Sequence, residues 1–187
     1  LVKENKIRDM TMCTLFAALI VVGTFIRIPI PVVPFTLQFL FTMLAGLLLG
    51  GRLGAASVGL YIAMGLIGLP VFAQGGGIGY VLKPSFGYIV GFAIAAYATG
   101  RLAGREGSPG YGRLLFANFV GLAIVYSCGM IYYALISAFY LGAPIGLWPL
   151  FLYCFLLAVP GDIALCLLAA VVAKRVRPTL QREGSVG

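Results

Sequence analysis

The chain has 187 residues, of which 61% are hydrophobic and 10% charged, and its mean hydropathy is +1.07. A soluble domain is about half apolar and a quarter charged, so this composition describes a membrane protein and excludes a separate soluble domain. The formal charge of +8 does not point to nucleic acid, because the basic residues lie in short clusters between apolar runs.

A span needs about 20 apolar residues at ~1.5 Å each, which leaves room for about six. Residues 1–9 form a charged amphipathic start with Lys3, Glu4, Lys6, Arg8 and Asp9. The first apolar run, 10–26, ends at Arg27 without a small-x-small cleavage site, so it reads as a span and not as a cleaved leader. A Pro-rich connector, 28–34, breaks it. The second run, 35–50, is short for a span and is expected to be tilted or partly interfacial. Gly50-Gly51-Arg52 turns the chain into the third run, 53–72. A glycine-rich loop from Gln74 to Tyr80 leads to Lys83-Pro84, followed by runs at 86–102, 114–141 and 147–173. The expected fold is an all-α membrane protein, a six-transmembrane-helix bundle over residues 10–178, with a polar tail at 179–187.

Orientation follows from the cations. Lys3, Lys6, Arg8, Arg52, Arg101, Arg105, Arg113, Lys174, Arg175, Arg177 and Arg182 fall on one side, and only Arg27 and Lys83 on the other. This positive-inside bias places both termini in the cytoplasm. Small residues recur at spacing four, at Gly46/Gly50, Gly50/Gly54, Gly87/Gly91, Gly100/Gly104 and Ala169/Ala173, as expected where helices approach closely in lipid. Cys13, Cys128, Cys154 and Cys166 lie in apolar runs and read as buried hydrophobes.

Asp162 is the one carboxylate inside a span. Counted back from Lys174 it lies ~18 Å above the inner boundary, just past the midplane. A charge there costs roughly 2.5–3.5 kcal/mol, so it should face the bundle interior with a partner, either a ligand or a neighbouring hydroxyl or amide. Pro160-Gly161 before it is expected to kink the helix and open a cavity. Gln38 can donate and accept, which suits a polar heterocycle or the backbone around the proline break. The Gln74–Tyr80 loop can bring backbone N–H groups to a ligand or move as a lid. Lys83 is a candidate partner for a carboxylate, or it snorkels to the interface. Tyr80, Phe86, Tyr88 and Trp148 lie near the same face, where aromatic belts occur. No G-x-x-x-x-G-K-[ST] is present, so the chain lacks an ATP-binding P-loop. Histidine is absent, which removes histidine-assisted hydrolysis, and a single intramembrane carboxylate does not make an aspartyl protease.

In order along the chain come Pro34-Phe35-Thr36-Leu37-Gln38, Leu44-Ala45-Gly46, Leu49-Gly50-Gly51-Arg52-Leu53-Gly54, Gly65-Leu66-Ile67-Gly68-Leu69-Pro70-Val71-Phe72, the glycine loop, Gly87-Tyr88 and Pro160-Gly161-Asp162. With these motifs in register over residues 12–178, the chain resembles the BioY family, the biotin-binding S components of energy-coupling-factor (ECF) transporters. The resemblance implies a six-helix fold without enzymatic activity or cofactor of its own. It implies biotin as substrate, and assembly in a prokaryotic cell membrane with a coupling subunit and two cytoplasmic ATPases that consume ATP. It also implies a ligand site from Asp162, Lys83, Gln38, Gln74, Tyr80, Phe86, Tyr88 and Gly161. Small residues on the first helix, Cys13/Ala17 and Thr14/Ala18, would contact the coupling subunit. The sequence departs from the family's usual pattern in three places. The usual pair of alanines four apart on the first helix is not intact, since Cys13 and Thr14 stand at the first positions. A lysine expected three residues after the aspartate is Leu165, and the glycine before the loop proline is Lys83. The alternatives are the same fold binding another small carboxylate, or a channel or structural membrane protein, although no run shows the polar stripe of a pore.

The six-span arrangement predicts that a cysteine at position 83 reacts with impermeant thiol reagents added outside intact cells, while one at 105 does not. Labelling of position 105 from outside would contradict it.

Overall fold

In the computed structural model, residues 2–28, 35–104, 109–142, 146–156 and 158–185 are described. The charged start and the first apolar run form one helix, α1 (Val2–Phe25). The chain then makes a short antiparallel ladder, β1 (Arg27–Ile28) with β2 (Phe35–Thr36), pairing Arg27 with Thr36 and Ile28 with Phe35. Because Phe35 and Thr36 are extended, the second helix starts later than hydropathy suggested. It is α2 (Gln38–Leu49). Gly50, with φ of 83°, turns directly into α3 (Gly51–Leu66). The third run was expected to continue to Phe72, but α3 ends at Leu66. Gly68 has φ of 111°, and Pro70 cannot continue a helix. Phe72 instead folds back and buries its ring 5.4 Å from Tyr61. The loop ends in a 3₁₀ turn, Ile78–Leu82. Next come α4 (Phe86–Ala103) and α5 (Tyr111–Phe139). Arg105 lies outside the described residues.

The sixth run, expected as one helix with a kink, is two pieces. A short α6 (Leu147–Phe151) runs into a π-helical turn (Leu152–Leu156), and α7 (Val159–Ser185) begins afresh. The reason is Pro160. It has no N–H to bond back into the preceding turn, but in the first turn of a new helix that donor is not needed. The break places Asp162 in the first turn of α7, its N–H bonded to the Ala158 carbonyl at 3.1 Å.

Among the described residues, three segments are long and apolar enough to cross a membrane by length and composition: Lys6–Phe25, Phe86–Ala103 and Tyr111–Phe139. The helices Gln38–Leu49 and Gly51–Leu66 are apolar but shorter. At ~1.5 Å per residue, α2 spans ~18 Å and α3 ~24 Å, less than a ~30 Å hydrocarbon core. Both meet at the Gly50 turn on the end that carries the termini, so their shortfall lies at the opposite end.

The small residues at spacing four are where the helices touch. A Cβ added to Gly46 would lie 2.5 Å from the Ala96 carbonyl oxygen, and one on Gly54 2.7 Å from the Gly46 Cα. Gly87 and Gly91 seat α4 against Tyr132 and Val125 of α5 in the same way. Ala169 and Ala173 are fully buried on α7. Polar cross-links add to this contact. The Thr99 hydroxyl donates to the Ala117 carbonyl at 3.2 Å, and the Asn118 amide to the Cys166 carbonyl at 2.9 Å. Such bonds are worth roughly 0.6–2 kcal/mol in a membrane. Cys166 is buried as expected, while Cys13 and Cys128 are only half-buried. The side chain of Cys154 lies outside the described residues.

Candidate functional site

The shortfall of α2 and α3 is roofed by β1–β2 and by the loop between α3 and α4. The roof is held down by its own backbone and by side chains from the bundle. The Gly77 N–H donates to the Gly65 carbonyl at 2.7 Å. Lys83 Nζ donates to the Gln74 carbonyl at 2.9 Å, Arg27 Nη1 to the Ala73 carbonyl, and the Tyr132 hydroxyl to the Val81 carbonyl. Under this roof lies a narrow cleft of about 70 Å³, below the roughly 300–1,000 Å³ of a small-molecule site, so a ligand enters only as the roof and the ring side chains move apart.

Four segments wall the cleft. Phe35, Thr36, Gln38 and Phe39 come from β2 and the start of α2, and Tyr88, Ile89 and Phe92 from α4. Val125 and Tyr126 come from α5, and Ala158 and Asp162 from the beginning of α7. The roof contributes Ala73, Tyr80 and Ser85. Most of this wall is apolar or aromatic, and among the described residues Asp162 and Gln38 are its two buried polar side chains other than tyrosine.

The first is Asp162, 7% exposed, whose Oδ2 accepts a bond from the Tyr126 hydroxyl at 2.5 Å. Among the described residues nothing donates to Oδ1. The second is Gln38, 4% exposed, whose amide nitrogen Nε2 is buried without an acceptor. The Tyr61 hydroxyl, which donates to the Val71 carbonyl and meets Thr24, both at 3.3 Å, lies near enough to feel the Gln38 amide but outside good hydrogen-bond geometry with Nε2. A buried, unmade amide bond costs ~1–3 kcal/mol, which a bound acceptor would recover. The cleft therefore offers an acceptor and a donor from facing segments, with rings between them.

Glycines set the ring positions. A Cβ at Gly161 would lie 2.7 Å from the Phe35 ring, so only glycine lets Phe35 lie against α7. Gly129 plays the same part for Tyr88, whose ring packs edge-on to Tyr126 at 6.0 Å. Tyr80 is buried with its ring centroid 4.5 Å from that of Phe72, and its hydroxyl accepts from Ser85 at 3.3 Å. Burial pushes its phenol above the usual tyrosine range, so it stays neutral.

Of the residues singled out in the sequence, Asp162, Gln38, Tyr80 and Tyr88 line the cleft, and Gly161 backs it. Lys83 stands at the rim, its ammonium 4.9 Å from the Tyr80 ring centroid. Gln74 has an exposed side chain and takes part through its carbonyl. Phe86 faces Tyr132 at 6.0 Å, outside the wall. Trp148 is largely exposed and stacks near Phe151. Tyr126 was missed. Its signature is a phenol in the middle of an apolar helix, which must find a partner.

On α1 the two small pairs part company. Ala17 is buried and Cys13 Sγ lies 3.4 Å from the Ser57 hydroxyl of α3, so this pair packs inward. Thr14 and Ala18 are exposed and, with Ile7, Met10, Thr11 and Leu15, line a shallow groove on the outer face.

Residues 2–182 match the BioY family. The chain is 43% identical over 176 residues to the protein named probable biotin transporter BioY in Lysinibacillus sphaericus, covering 94% of this chain and 90% of that one. It is 37% identical over 183 residues to the biotin transporter BioY of Rhodobacter capsulatus, covering 90% and 93%. Among solved structures it is similar to the S-component for biotin from an ECF-type ABC transporter, with a TM-score of 0.81, 30% identity and 95% of both chains covered.

Proposed function

This chain belongs to the BioY family, and we propose that it is the S component of an ECF importer that captures biotin in the roofed cleft. The observation that carries this reading is the pair of polar groups in an apolar cleft: a buried carboxylate with Oδ1 uncommitted and a buried amide N–H with no acceptor. Biotin's ureido ring carries N–H donors and one carbonyl. Asp162 would take a donor in a charge-assisted bond, and Gln38 Nε2 would serve the carbonyl. Phe35, Phe39, Tyr88 and Phe92 would hold the apolar thiophane ring. The tail carboxylate would come to the rim, where Lys83 is the nearest ammonium and would exchange its bond to the Gln74 carbonyl for the ligand.

The bundle would sit in the cytoplasmic membrane of a prokaryote with both termini inside, supported by eleven of the 13 cations at the end that carries the termini. The roofed cleft would then face outward. A membrane coupling subunit and two cytoplasmic ATPases would complete the importer. Of the α1 pairs, Thr14/Ala18 suits that contact because it is exposed, whereas Cys13/Ala17 is used within the bundle.

Isothermal titration of a vitamin panel into purified protein should give biotin as the tight ligand, and a different tight ligand would overturn the assignment. Lys83→Ala should weaken biotin by roughly tenfold or more, the equivalent of ~1.5 kcal/mol, and biotin amide far less. Equal losses for acid and amide would make Lys83 a support of the roof. For the α1 face, Ala18→Trp should abolish uptake in cells while leaving titrated binding intact. Parallel loss of both would refute a docking role.

A further inference from the structure

At the end of the bundle that carries the termini, three cations converge on the segment joining α4 to α5. Arg113, near the start of α5, donates through Nε to the Leu102 carbonyl at 2.8 Å, and its guanidinium packs against Gly104, where an added Cβ would lie 2.9 Å from Nη2. Arg177 of α7 reaches the same residue from the other side, donating through Nη2 to the Gly104 carbonyl. Lys174, one turn earlier on α7, donates to the Pro109 carbonyl at 2.8 Å. Arg177 is only 5% exposed, yet its Nη1 is buried with no hydrogen-bond partner. Two guanidinium groups around one glycine repel each other, and a buried cation with an unmade bond is costly unless an anion completes it. Among the described residues no carboxylate pairs with either arginine.

We propose that the Arg113–Arg177 pair around Gly104 binds the phosphodiester of an anionic phospholipid. Forked guanidinium donors match the several oxygens of a phosphate better than a single carbonyl does. A lipid is favoured over free phosphate because the cluster borders lipid-facing apolar surface. Tyr111, 48% exposed, lies under Lys174 with 6.0 Å between the ammonium and the ring centroid; Leu102, whose carbonyl holds Arg113, and Val171, one turn before Lys174, are also exposed. Basic pockets between helices at this depth suit anionic headgroups. The proposal rests on the bundle lying in a membrane and not on what the cleft binds.

The test is native mass spectrometry of the intact protein released from nanodiscs of mixed phosphatidylglycerol and phosphatidylcholine. Wild type should retain phosphatidylglycerol preferentially. Arg177→Gln and Arg113→Gln should each lower that preference about fivefold. Arg52→Gln, which removes a cation from the same end but outside the cluster, should preserve it, as should millimolar inorganic phosphate. Arg113→Gln leaves the buried Arg177 in place, so it decides the matter if Arg177→Gln does not fold. Equal loss with Arg52→Gln would mean diffuse surface charge, and displacement by inorganic phosphate a free-anion site. Glu106 lies outside the described residues. No preference in wild type, together with its appearance in Glu106→Gln, would make that carboxylate the internal partner. Each of these three results would overturn the proposal, and none would bear on biotin titration.

Discussion

A carboxylate inside an apolar bundle has to be satisfied, and the Asp162–Tyr126 bond of 2.5 Å is where this protein meets that constraint. Leaving such a charge unpartnered costs several kcal/mol, so the helices around it are committed to bring a donor within reach. The bond joins α7 to α5. Tyr126 in turn fixes the edge-on packing of Tyr88 from α4, and Phe155 lies against its other side at 5.3 Å. One polar contact thus organises three aromatic rings and most of one cleft wall. It uses one carboxylate oxygen and leaves the other uncommitted, which is the oxygen we propose a ligand takes.

Backbone breaks make the contact compatible with a bundle. Pro160 starts a new helix, so Asp162 sits in a first turn near the roof instead of deep in a continuous span. Gly161 beside it admits Phe35, and Gln38 follows at the first position of α2. The short α2 and α3 leave space that a longer pair would fill with side chains. The roof closes that space through bonds to its own carbonyls from Lys83, Arg27 and Tyr132, side chains that a ligand's arrival can redirect. In the proposed reading, binding and enclosure would draw on the same few groups.

Much of this was legible in the sequence because hydropathy and charge record the membrane directly. The apolar runs, the clustering of cations and the close approach of helices at small residues all follow from lipid as solvent. Asp162 and Gln38 stood out because polar groups in such runs are expensive. Helix ends were less legible. The start of α2 depends on Phe35 and Thr36 pairing with residues upstream, and the end of α3 on the positive φ of Gly68, neither of which hydropathy registers. The split of the sixth run was read as a kink, since a proline does not declare whether the helix resumes or restarts. Tyr126 went unread because its partner lies 36 residues away. The inward and outward faces of α1 are likewise not legible in hydropathy, since the inward one depends on the contact of Cys13 with Ser57 of α3.

We propose that Tyr126 holds Asp162 so that its other carboxylate oxygen can receive the ureido group of biotin. The most direct measurement is isothermal titration of biotin into purified Asp162→Asn, with thermal unfolding to confirm a folded protein. The amide replaces a charge-assisted acceptor by a neutral group while keeping its size, which removes roughly 1.5 kcal/mol or more. Affinity should fall at least about tenfold with the fold retained. Unchanged affinity in a folded variant would contradict the proposal and leave Asp162 as a structural cross-link between α5 and α7.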